Sequence, residues 1–382
     1  MVVRNMSGED RIRDEQWMRR ALELAAGGMG HTAPNPMVGA VIVRDGRVIG
    51  EGFHEKYGQL HAERNALADC RQRGESPEGA TIYVTLEPCC HYGKTPPCTE
   101  AVMENHLGRV VYGTTDPNPL VAGEGLEILR KSGIQVDGPV LEQECRDLNR
   151  HFFHYMTTGL PYVIVKYAMT ADGKIATVTG DSQWITGETS RQHVHLTRKQ
   201  VSAIMVGIGT VLADDPMLNC RIDEGVDPVR VICDTNLRIP LDSRIIRTAG
   251  SIRTIVACRE IREPDLQAKA EALRGAGAEL LQVETDPDGH MDVGQVIRKL
   301  GEMKIDSILV EGGSQVNFSV LRTGLVSEVD VYIAPKFAGG AVAKTPVGGA
   351  GFAKLADCVE LAAPEIERFG NDVLLRYRPE RK

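Results

Sequence analysis

The chain has 382 residues, of which 42% are hydrophobic and 25% charged, with 40 glycines and few aromatic side chains. This length suggests two domains, and the composition is that of a soluble globular protein. The net charge of −8 argues against a broad basic surface for nucleic acid, and no apolar run reaches the length of a membrane span. The acidic net charge leaves small molecules as the expected partners. Nine cysteines without a signal-peptide core favour a reducing cytoplasm over a disulfide framework.

The first part of the chain alternates helical and strand patterns. A helical pattern over residues 10–28 ends in Gly27-Gly28, and two apolar strands over 37–52 are joined by the hairpin signal Asp45-Gly46. Further elements are expected as helix, strand, helix, strand, helix and strand at 61–74, 80–90, 98–106, 108–119, 125–131 and 134–136. This alternation implies an α/β domain. Turn residues at 157–161 place the boundary there, giving domains 1–158 and 159–382.

The pattern then restarts. Buried strands are predicted at 162–170, 203–212, 229–235, 254–260, 307–313 and 328–336, and closing strands within 361–382. Helical stretches are predicted at 190–200, 265–275 and 294–303. The second domain is therefore also α/β, with a larger and mostly parallel sheet.

The stretch EPCCHYGKTPPC, from Glu87 to Cys98, concentrates cysteine and histidine. Zinc prefers four tetrahedral ligands from imidazole and thiolate, and a catalytic site keeps one position for water. Cys89 and Cys98 each lie next to an expected helical turn, where the helix dipole favours a thiolate. His61 at a helix start adds a third ligand, and Glu63 can reach a metal-bound water instead of the metal. A purely structural zinc site is the alternative.

His-Ala-Glu followed by Pro-Cys and a later cysteine resembles the signature of zinc-dependent nucleoside deaminases, H-x-E with P-C-x-x-C. Here eight residues rather than two separate the cysteines. PCCHYGKTPPC, APNPMVG, GFHEKYGQLHAE and TTDPNPLVAG resemble the deaminase half of the bifunctional deaminase/reductase family of riboflavin biosynthesis. This resemblance implies a cytidine-deaminase-like, three-layer α/β/α domain with zinc on His61, Cys89 and Cys98.

In this interpretation zinc lowers the pKa of its water towards ~7. Glu63 takes that proton and passes it to the ring nitrogen and then to the departing ammonia. Among the neighbours, Cys90 is expected to be a small buried thiol, whereas His54 and His91 are pocket-wall or substrate contacts or exposed loop residues. Asn35 lies between two prolines and either serves a turn or, as in the resembling families, contacts the ribose of the substrate.

The second domain has no G-x-G-x-x-G after a strand. The glycines of Glu311-Gly312-Gly313-Ser314 follow a buried strand and open a predicted helix, which suits a phosphate at a helix N-terminus. VKYAMTADGKIA, DSQWITGE, MVGIGTVLADDPMLNCR and ILVEGGSQVNFS occur in the order that resembles the reductase domain of the same family. The resemblance implies a fold similar to dihydrofolate reductase.

The reductase resemblance implies a set of cofactor and substrate contacts. NADPH would be lined by Ala168, Trp184, Thr210 and Asp214, with the backbone of Gly313, Ser314, Gln315, Val316, Asn317 and Phe318 around its phosphates. The substrate would be held by Ser182, Arg198, Leu218, Arg221 and Glu311. A phosphosugar needs guanidinium forks, which Arg198 and Arg221 can supply. The alternatives are a solvated surface for either arginine, core packing for Trp184 and turn initiation for Asp214.

The predicted function is therefore bifunctional. The first domain deaminates 2,5-diamino-6-ribosylamino-4(3H)-pyrimidinone 5′-phosphate, and the second reduces the ribosyl group with NADPH to give 5-amino-6-(5-phosphoribitylamino)uracil. We expect a cytoplasmic homo-oligomer without nucleic-acid or membrane partners. One alternative is an RNA-editing deaminase with an appended binding domain, which the acidic charge disfavours. Another is a non-catalytic zinc protein whose second domain senses a nucleotide, against which Glu63 argues.

Overall fold

The computed structural model describes residues 8–118, 122–286 and 289–380. The chain divides into two compact units between Gly159 and Leu160. The segment Pro119-Leu120-Val121 of TTDPNPLVAG and the last two residues of the predicted closing strands lie outside the described residues. Within the described ranges, no helix is both long and apolar enough to cross a membrane.

The first unit is built on a five-stranded sheet with the order β2-β1-β3-β4-β5. Its strands are β1 (Gly39–Arg44), β2 (Arg47–Phe53), β3 (Thr81–Leu86), β4 (Arg109–Thr114) and β5 (Gln135–Asp137). Its helices are α1 (Gly8–Ala25), α2 (Ala62–Gln72), α3 (Cys98–Glu104), α4 (Glu124–Lys131), α5 (Glu142–Leu148) and α6 (Arg150–Thr158). β1 pairs antiparallel with β2 and β3, whereas β3, β4 and β5 run parallel.

The sheet of the first unit is covered on both faces. Successive residues of β1 alternate between two apolar clusters, because side chains along a strand point to opposite faces. Ala40 and Ile42 pack with α2, α3 and α4, and Val41 and Val43 pack with α1 and α5. This confirms the predicted α/β/α layers.

Glycine sets the local geometry at two points of the first unit. Asp45 and Gly46 both have positive φ, 51° and 70°, as the predicted two-residue hairpin between β1 and β2 requires. On β2, a Cβ on Gly50 or Gly52 would overlap the backbone of Ala66 in α2. The absence of side chains there lets α2 lie directly on the sheet.

The second unit contains a nine-stranded sheet with the order β10-β9-β8-β7-β11-β6-β12-β14-β13. The strands are β6 (Tyr162–Thr170), β7 (Ala203–Gly207), β8 (Val229–Cys233), β9 (Thr254–Arg259), β10 (Glu279–Val283), β11 (Ser307–Val310), β12 (Val326–Ala334), β13 (Glu365–Phe369) and β14 (Asp372–Tyr377). The helices are α7 (Glu188–Gln200), α8 (Ile208–Asp214), α9 (Arg244–Arg247), α10 (Pro264–Gly275), α11 (Val293–Glu302) and α12 (Ser314–Arg322). The first seven strands in this order, from β10 across to β12, pair in parallel, whereas β14 pairs antiparallel with β12 and with β13. The predicted mostly parallel sheet is therefore confirmed.

Several element predictions differ from the structure. The strand predicted over 203–212 is wrong in its second half, because β7 ends at Gly207 and α8 begins at Ile208. A short apolar run does not distinguish a buried strand from a buried helical turn. Helices α5 and α6 and strand β10 were not predicted. The mixed polar and aromatic pattern around α6 hid its helical period.

Candidate active sites

Three predicted zinc ligands meet in the first unit. His61 is the N-cap of α2, Cys98 is the first residue of α3, and Cys89 lies in the loop after β3. The Nδ1 atom of His61 lies 3.5 Å from the Sγ atom of Cys89 and 3.5 Å from that of Cys98. In a tetrahedral zinc site these nitrogen and sulfur atoms would be about 3.6 Å apart. The donor set and its spacing therefore fit zinc, and no other such cluster occurs among the described residues.

The N-terminus of α3 acts on Cys89 across the loop. The backbone N–H of Cys98 donates to the Cys89 sulfur at 3.4 Å, and that of Thr99 donates to the Cys89 carbonyl at 3.2 Å. No helical turn follows Cys89 directly, so the turn predicted there is wrong, and the N–H group that contacts its sulfur comes from the start of α3 instead. Hydrogen bonds from Cys98 and His61 lower the pKa of the Cys89 thiol to about 4 against the opposing effect of burial. The neighbouring Cys89 thiolate, together with burial, raises the pKa of Cys98.

Glu63 lies in the first turn of α2 and is almost fully buried, with 3% of its surface exposed. Burial first, and then the Cys89 thiolate, raise the pKa of its carboxyl group above the usual value, while a hydrogen bond with Cys98 opposes the rise. A buried carboxyl group with a raised pKa beside the ligand sulfurs is suited to take up a proton and release it again during a reaction. This is the arrangement expected of a general acid/base.

His54 and Asn35 form one wall near the ligands. The ring of His54 is buried and its centroid lies 5.3 Å from that of His61. Its Nδ1 atom lies 3.0 Å from the Leu60 carbonyl oxygen, and its Nε2 atom lies 3.3 Å from the Asn35 amide nitrogen. Burial lowers the pKa of His54, which favours the neutral ring. A neutral ring with its proton on Nδ1 can accept a hydrogen bond from Asn35 at Nε2.

The remaining loop residues differ in exposure. His91 is exposed, and Cys90 is only half-buried, so the expectation that Cys90 is a buried thiol is wrong. Pro88 between Glu87 and Cys89 is buried, but the chain turns outward at Cys90. Glu87 itself is buried and accepts hydrogen bonds from the backbone N–H groups of Gly123 and Gly125 at 2.9 and 3.1 Å. Glu87 thus anchors the start of the loop that carries Cys89.

Sequence reasoning missed two residues that contact this loop. Arg64 donates from Nε and Nη2 to the carbonyl oxygens of Pro96 and Pro97, at 3.2 and 2.8 Å, immediately before Cys98. The Thr95 hydroxyl lies 3.5 Å from the Nε2 atom of His61. The only sequence signal for Arg64 is its place beside Glu63 on the helix that His61 caps.

In the second unit, two glycines shape the start of α12. Gly312 and Gly313 have φ values of 89° and 74°, and Gly313 is the N-cap of the helix. A Cβ on Gly313 would lie 3.3 Å from the Thr210 hydroxyl, so the structure brings Thr210 of α8 to this turn. The first N–H groups of a helix have no partner within it and favour an anion.

The rest of the predicted phosphate segment lies on α12. Asn317 is buried, its amide nitrogen donates to the Pro346 carbonyl at 2.9 Å, and its Oδ1 atom has no partner among the described residues. Phe318 is buried, whereas Gln315 is exposed. The glycine turn and the helix N-terminus that follows it fit the phosphates of a dinucleotide. The Asn317 amide oxygen is an acceptor, so it needs a donor such as a hydroxyl group and does not itself favour a phosphate.

Arg198 and Glu311 form an ion pair that is largely shielded from solvent, with 12% and 10% of the side-chain surfaces exposed. The Arg198 Nη2 and Nε atoms lie 2.6 and 3.2 Å from the Glu311 carboxylate oxygens, and its Nη1 atom donates to the Asn219 carbonyl at 3.0 Å. The alternative of a solvated surface charge is therefore excluded for Arg198. Burial would raise the pKa of Glu311, but Arg198 and Lys166 outweigh it and lower the pKa to about 2. Sequence reasoning missed Lys166, whose signal is a lone charge within the apolar pattern of β6.

The other predicted contacts occupy three separate segments. Trp184 is 61% exposed, with the Arg191 guanidinium 4.8 Å from its ring centroid, so core packing is excluded. Asp214 ends α8 and is exposed, as is Arg221. Leu218 is buried with a positive φ of 51°. Ser182 is half-buried and precedes α7, and Ala168 lies on β6 opposite Tyr332 of β12.

Residues 11–114 match the cytidine and deoxycytidylate deaminase zinc-binding region, and residues 161–375 match the RibD C-terminal domain. Together with the His/Cys/Cys site, these matches define a two-domain enzyme, a zinc-binding deaminase followed by a reductase. The riboflavin biosynthesis protein RibD of Actinobacillus pleuropneumoniae is 51% identical over 364 residues, which cover 95% of each chain. The chain therefore belongs to the RibD family, the bifunctional deaminase/reductases of riboflavin biosynthesis.

Solved structures agree with this assignment. The diaminohydroxyphosphoribosylaminopyrimidine deaminase/5-amino-6-(5-phosphoribosylamino)uracil reductase of Thermotoga maritima is 40% identical, with a TM-score of 0.84 over 97% of this chain and 99% of that chain. RibD of Acinetobacter baumannii is 37% identical, with a TM-score of 0.84 over 97% of this chain and 100% of that chain. The similarity in sequence and fold to these relatives thus extends over nearly the whole chain and includes both domains.

Proposed function

We propose that the first unit hydrolytically deaminates 2,5-diamino-6-ribosylamino-4(3H)-pyrimidinone 5′-phosphate and that the second unit reduces the ribosyl side chain with NADPH. The observation that carries the proposal is the buried Glu63 beside the convergent His61, Cys89 and Cys98. The name of the Thermotoga maritima relative, at 40% identity, supports the choice of substrate.

Zinc held by His61, Cys89 and Cys98 supplies Lewis-acid activation of water for the attack on the pyrimidine ring. Glu63 would take one proton from the attacking water and deliver it to the ring nitrogen. It would then carry the second proton, from the hydroxyl group bound to the ring carbon, to the departing ammonia. Asn35, next to His54, is proposed to contact the ribose of the substrate.

NADPH supplies the hydride of the second step. Proposed cofactor contacts are Ala168, Trp184, Thr210, Asp214, Gly313, Ser314, Gln315, Val316, Asn317 and Phe318. Proposed substrate contacts are Ser182, Arg198, Leu218, Arg221 and Glu311. The glycine turn before α12 and the reach of Thr210 to Gly313 support the cofactor set. The placement of the Arg198–Glu311 pair beside the Asn219 carbonyl supports the substrate set.

The proposed setting is a cytoplasmic homo-oligomer that acts on small molecules and not on nucleic acid. None of the nine cysteines forms a disulfide bond, which suits a reducing compartment. The net charge of −8 supports a role without nucleic acid.

The substitution Glu63→Gln tests the deaminase assignment. We expect the variant to keep its zinc and to turn over the deaminated intermediate with NADPH at the wild-type rate. Ammonia release should fall by at least about a hundredfold, because the group that carries the proton is gone. The matched control is Glu104→Gln at the exposed end of α3. Ammonia release at the wild-type rate from zinc-loaded Glu63→Gln protein would remove Glu63 from the mechanism.

A further inference from the structure

Helix α7 holds the segment Asn219–Arg221 through three successive contacts. The Arg198 Nη1 atom donates to the Asn219 carbonyl oxygen at 3.0 Å. The Cys220 thiol donates to the His195 carbonyl oxygen at 3.3 Å, and the Arg221 backbone N–H donates to the His195 Nδ1 atom at 3.2 Å. His195 therefore supplies two of the three contacts, one of them from its side chain.

The chain around this segment needs such support. Asp215 and Leu218 have φ values of 36° and 51°, a conformation that is strained for a non-glycine residue and persists only when neighbours enforce it. The Asp215 carboxylate accepts the Arg244 N–H at 2.8 Å at one end of the segment. At the other end, the Asp227 carboxylate accepts the Cys220 N–H at 2.8 Å. These bonds fix the path of the backbone on either side of Leu218.

The His195 side chain is suited to accept this hydrogen bond. Because Nδ1 receives an amide N–H, it carries no proton, and the neutral ring keeps its proton on Nε2. Burial first, and then Arg198 and Arg221, lower the pKa of His195 to about 4, with a smaller effect from Lys166 and an opposing one from Glu311. The acceptor is therefore present throughout the neutral range.

The Arg221 side chain is oriented by the same segment. Its Nη1 atom donates to the Asn219 side-chain oxygen at 3.0 Å, and the Asn219 carbonyl is held by Arg198. The backbone at Arg221 is held by His195. A guanidinium fork that binds a phosphosugar depends on a fixed orientation of this kind.

We propose that His195 is a positioning residue for the reductase substrate. By accepting the Arg221 amide it fixes the backbone that carries Leu218 and Arg221, and so aims the Arg221 guanidinium at the anionic sugar phosphate. His195 acts through Arg221 and does not itself touch the substrate. The inference rests on the proposed function, in which Leu218 and Arg221 are substrate contacts.

The test compares His195→Asn with His195→Leu in the full-length, zinc-loaded protein. The Asn side-chain oxygen occupies the same position along the side chain as His Nδ1 and can accept the Arg221 amide, whereas Leu has the same branching and no acceptor. With the deaminated pyrimidine ribosyl phosphate and NADPH, we expect His195→Leu to raise KM about tenfold, the effect of one lost hydrogen bond, and to leave kcat within about twofold. We expect His195→Asn to keep the wild-type KM, and both variants to keep NADPH affinity and ammonia release.

Arg221→Ala, measured alongside, separates the two levels of the proposal. If Arg221→Ala raises KM and His195→Leu does not, the positioning role is overturned while the substrate site stands. If neither raises KM, the substrate contact at Arg221 fails, and the inference built on it fails as well. Equal losses in His195→Asn and His195→Leu would also overturn it, because the acceptor would then be irrelevant.

Discussion

Glu63 is buried and Glu311 is largely shielded from solvent, and the pKa values of the two carboxyl groups are shifted in opposite directions. Burial and the Cys89 thiolate raise the pKa of Glu63, which suits a group that exchanges protons. Burial also acts on Glu311, but Arg198 and Lys166 outweigh it and lower its pKa to about 2. The neighbouring charges, not burial alone, therefore decide which carboxyl group can carry a proton and which stays ionised.

The lowered pKa of Glu311 makes a prediction about stability. A carboxyl group whose folded pKa is about 2, against an ordinary value of 4.5, stabilises the fold fully above pH 4.5 and loses this contribution as the pH falls towards 2. The substitution Glu311→Gln should therefore lower the free energy of unfolding, on the order of 3 kcal/mol at neutral pH. The difference from wild type should shrink as the pH falls.

Urea unfolding at a series of pH values measures this difference. The control is Glu302→Gln at the exposed end of α11, which should change the free energy of unfolding by less than about 0.5 kcal/mol. A gap between wild type and Glu311→Gln that widens on acidification would contradict the assignment.

At the scale of elements, α2 both supplies a zinc ligand and holds the loop that delivers another. Arg64 of α2 bonds to the carbonyl groups of Pro96 and Pro97, directly before Cys98. We expect Arg64→Ala to weaken zinc binding by about tenfold or more, because groups that orient metal ligands commonly have effects of that size. Competition with a chromophoric chelator measures the affinity.

Two further variants serve as controls for the Arg64 prediction. Arg64→Lys can keep one of the two bonds and should lie between wild type and Arg64→Ala. Arg71→Ala, an exposed position on the same helix, should bind zinc as wild type does. Wild-type zinc affinity in Arg64→Ala would show that the loop holds Cys98 without this arginine.

The close packing of α2 on β2 leads to another prediction. A Cβ on Gly52 would overlap the backbone of Ala66, so Gly52→Ala must push α2 away from the sheet. Such overpacking costs about 1–3 kcal/mol, and moving α2 displaces His61 as well. We expect lower unfolding stability together with a lower zinc content, measured by denaturant titration and metal analysis.

Gly93→Ala is the control for Gly52→Ala, because a Cβ at Gly93 meets nothing within 4 Å. It should keep both zinc content and stability. Equal stability of Gly52→Ala and wild type would mean that the contact between α2 and β2 can adjust at no cost.

The local elements around the zinc site were predictable because their signals are local. The hairpin at Asp45-Gly46, helix α2 and the spacing of Cys89 and Cys98 depend on residues close together in the chain. The pair of Arg198 and Glu311 was not predictable as a contact, because 113 residues separate them and only the order of the parallel strands brings them together. The same holds for the effect of α3 on Cys89, which acts across the loop.

At the scale of the whole molecule, each unit holds one complete set of predicted site residues. The zinc ligands and Glu63 precede Gly159, and all proposed reductase residues follow Leu160. Removing zinc with a chelator should therefore stop ammonia release and leave NADPH oxidation on the deaminated intermediate at its original rate. Added zinc should restore ammonia release, and loss of both activities on chelation would contradict this division.

The most direct test of the two-site account supplies the pyrimidine ribosyl phosphate and NADPH together. Ammonia release and loss of NADPH absorbance are followed separately in wild type, Glu63→Gln and Arg198→Ala. We predict that wild type shows both signals and that Arg198→Ala releases ammonia without oxidising NADPH. Glu63→Gln should show neither signal with the pyrimidine ribosyl phosphate, and should oxidise NADPH only after the deaminated intermediate is added. Loss of ammonia release in Arg198→Ala, or no NADPH oxidation by Glu63→Gln after the intermediate is added, would contradict two independent sites.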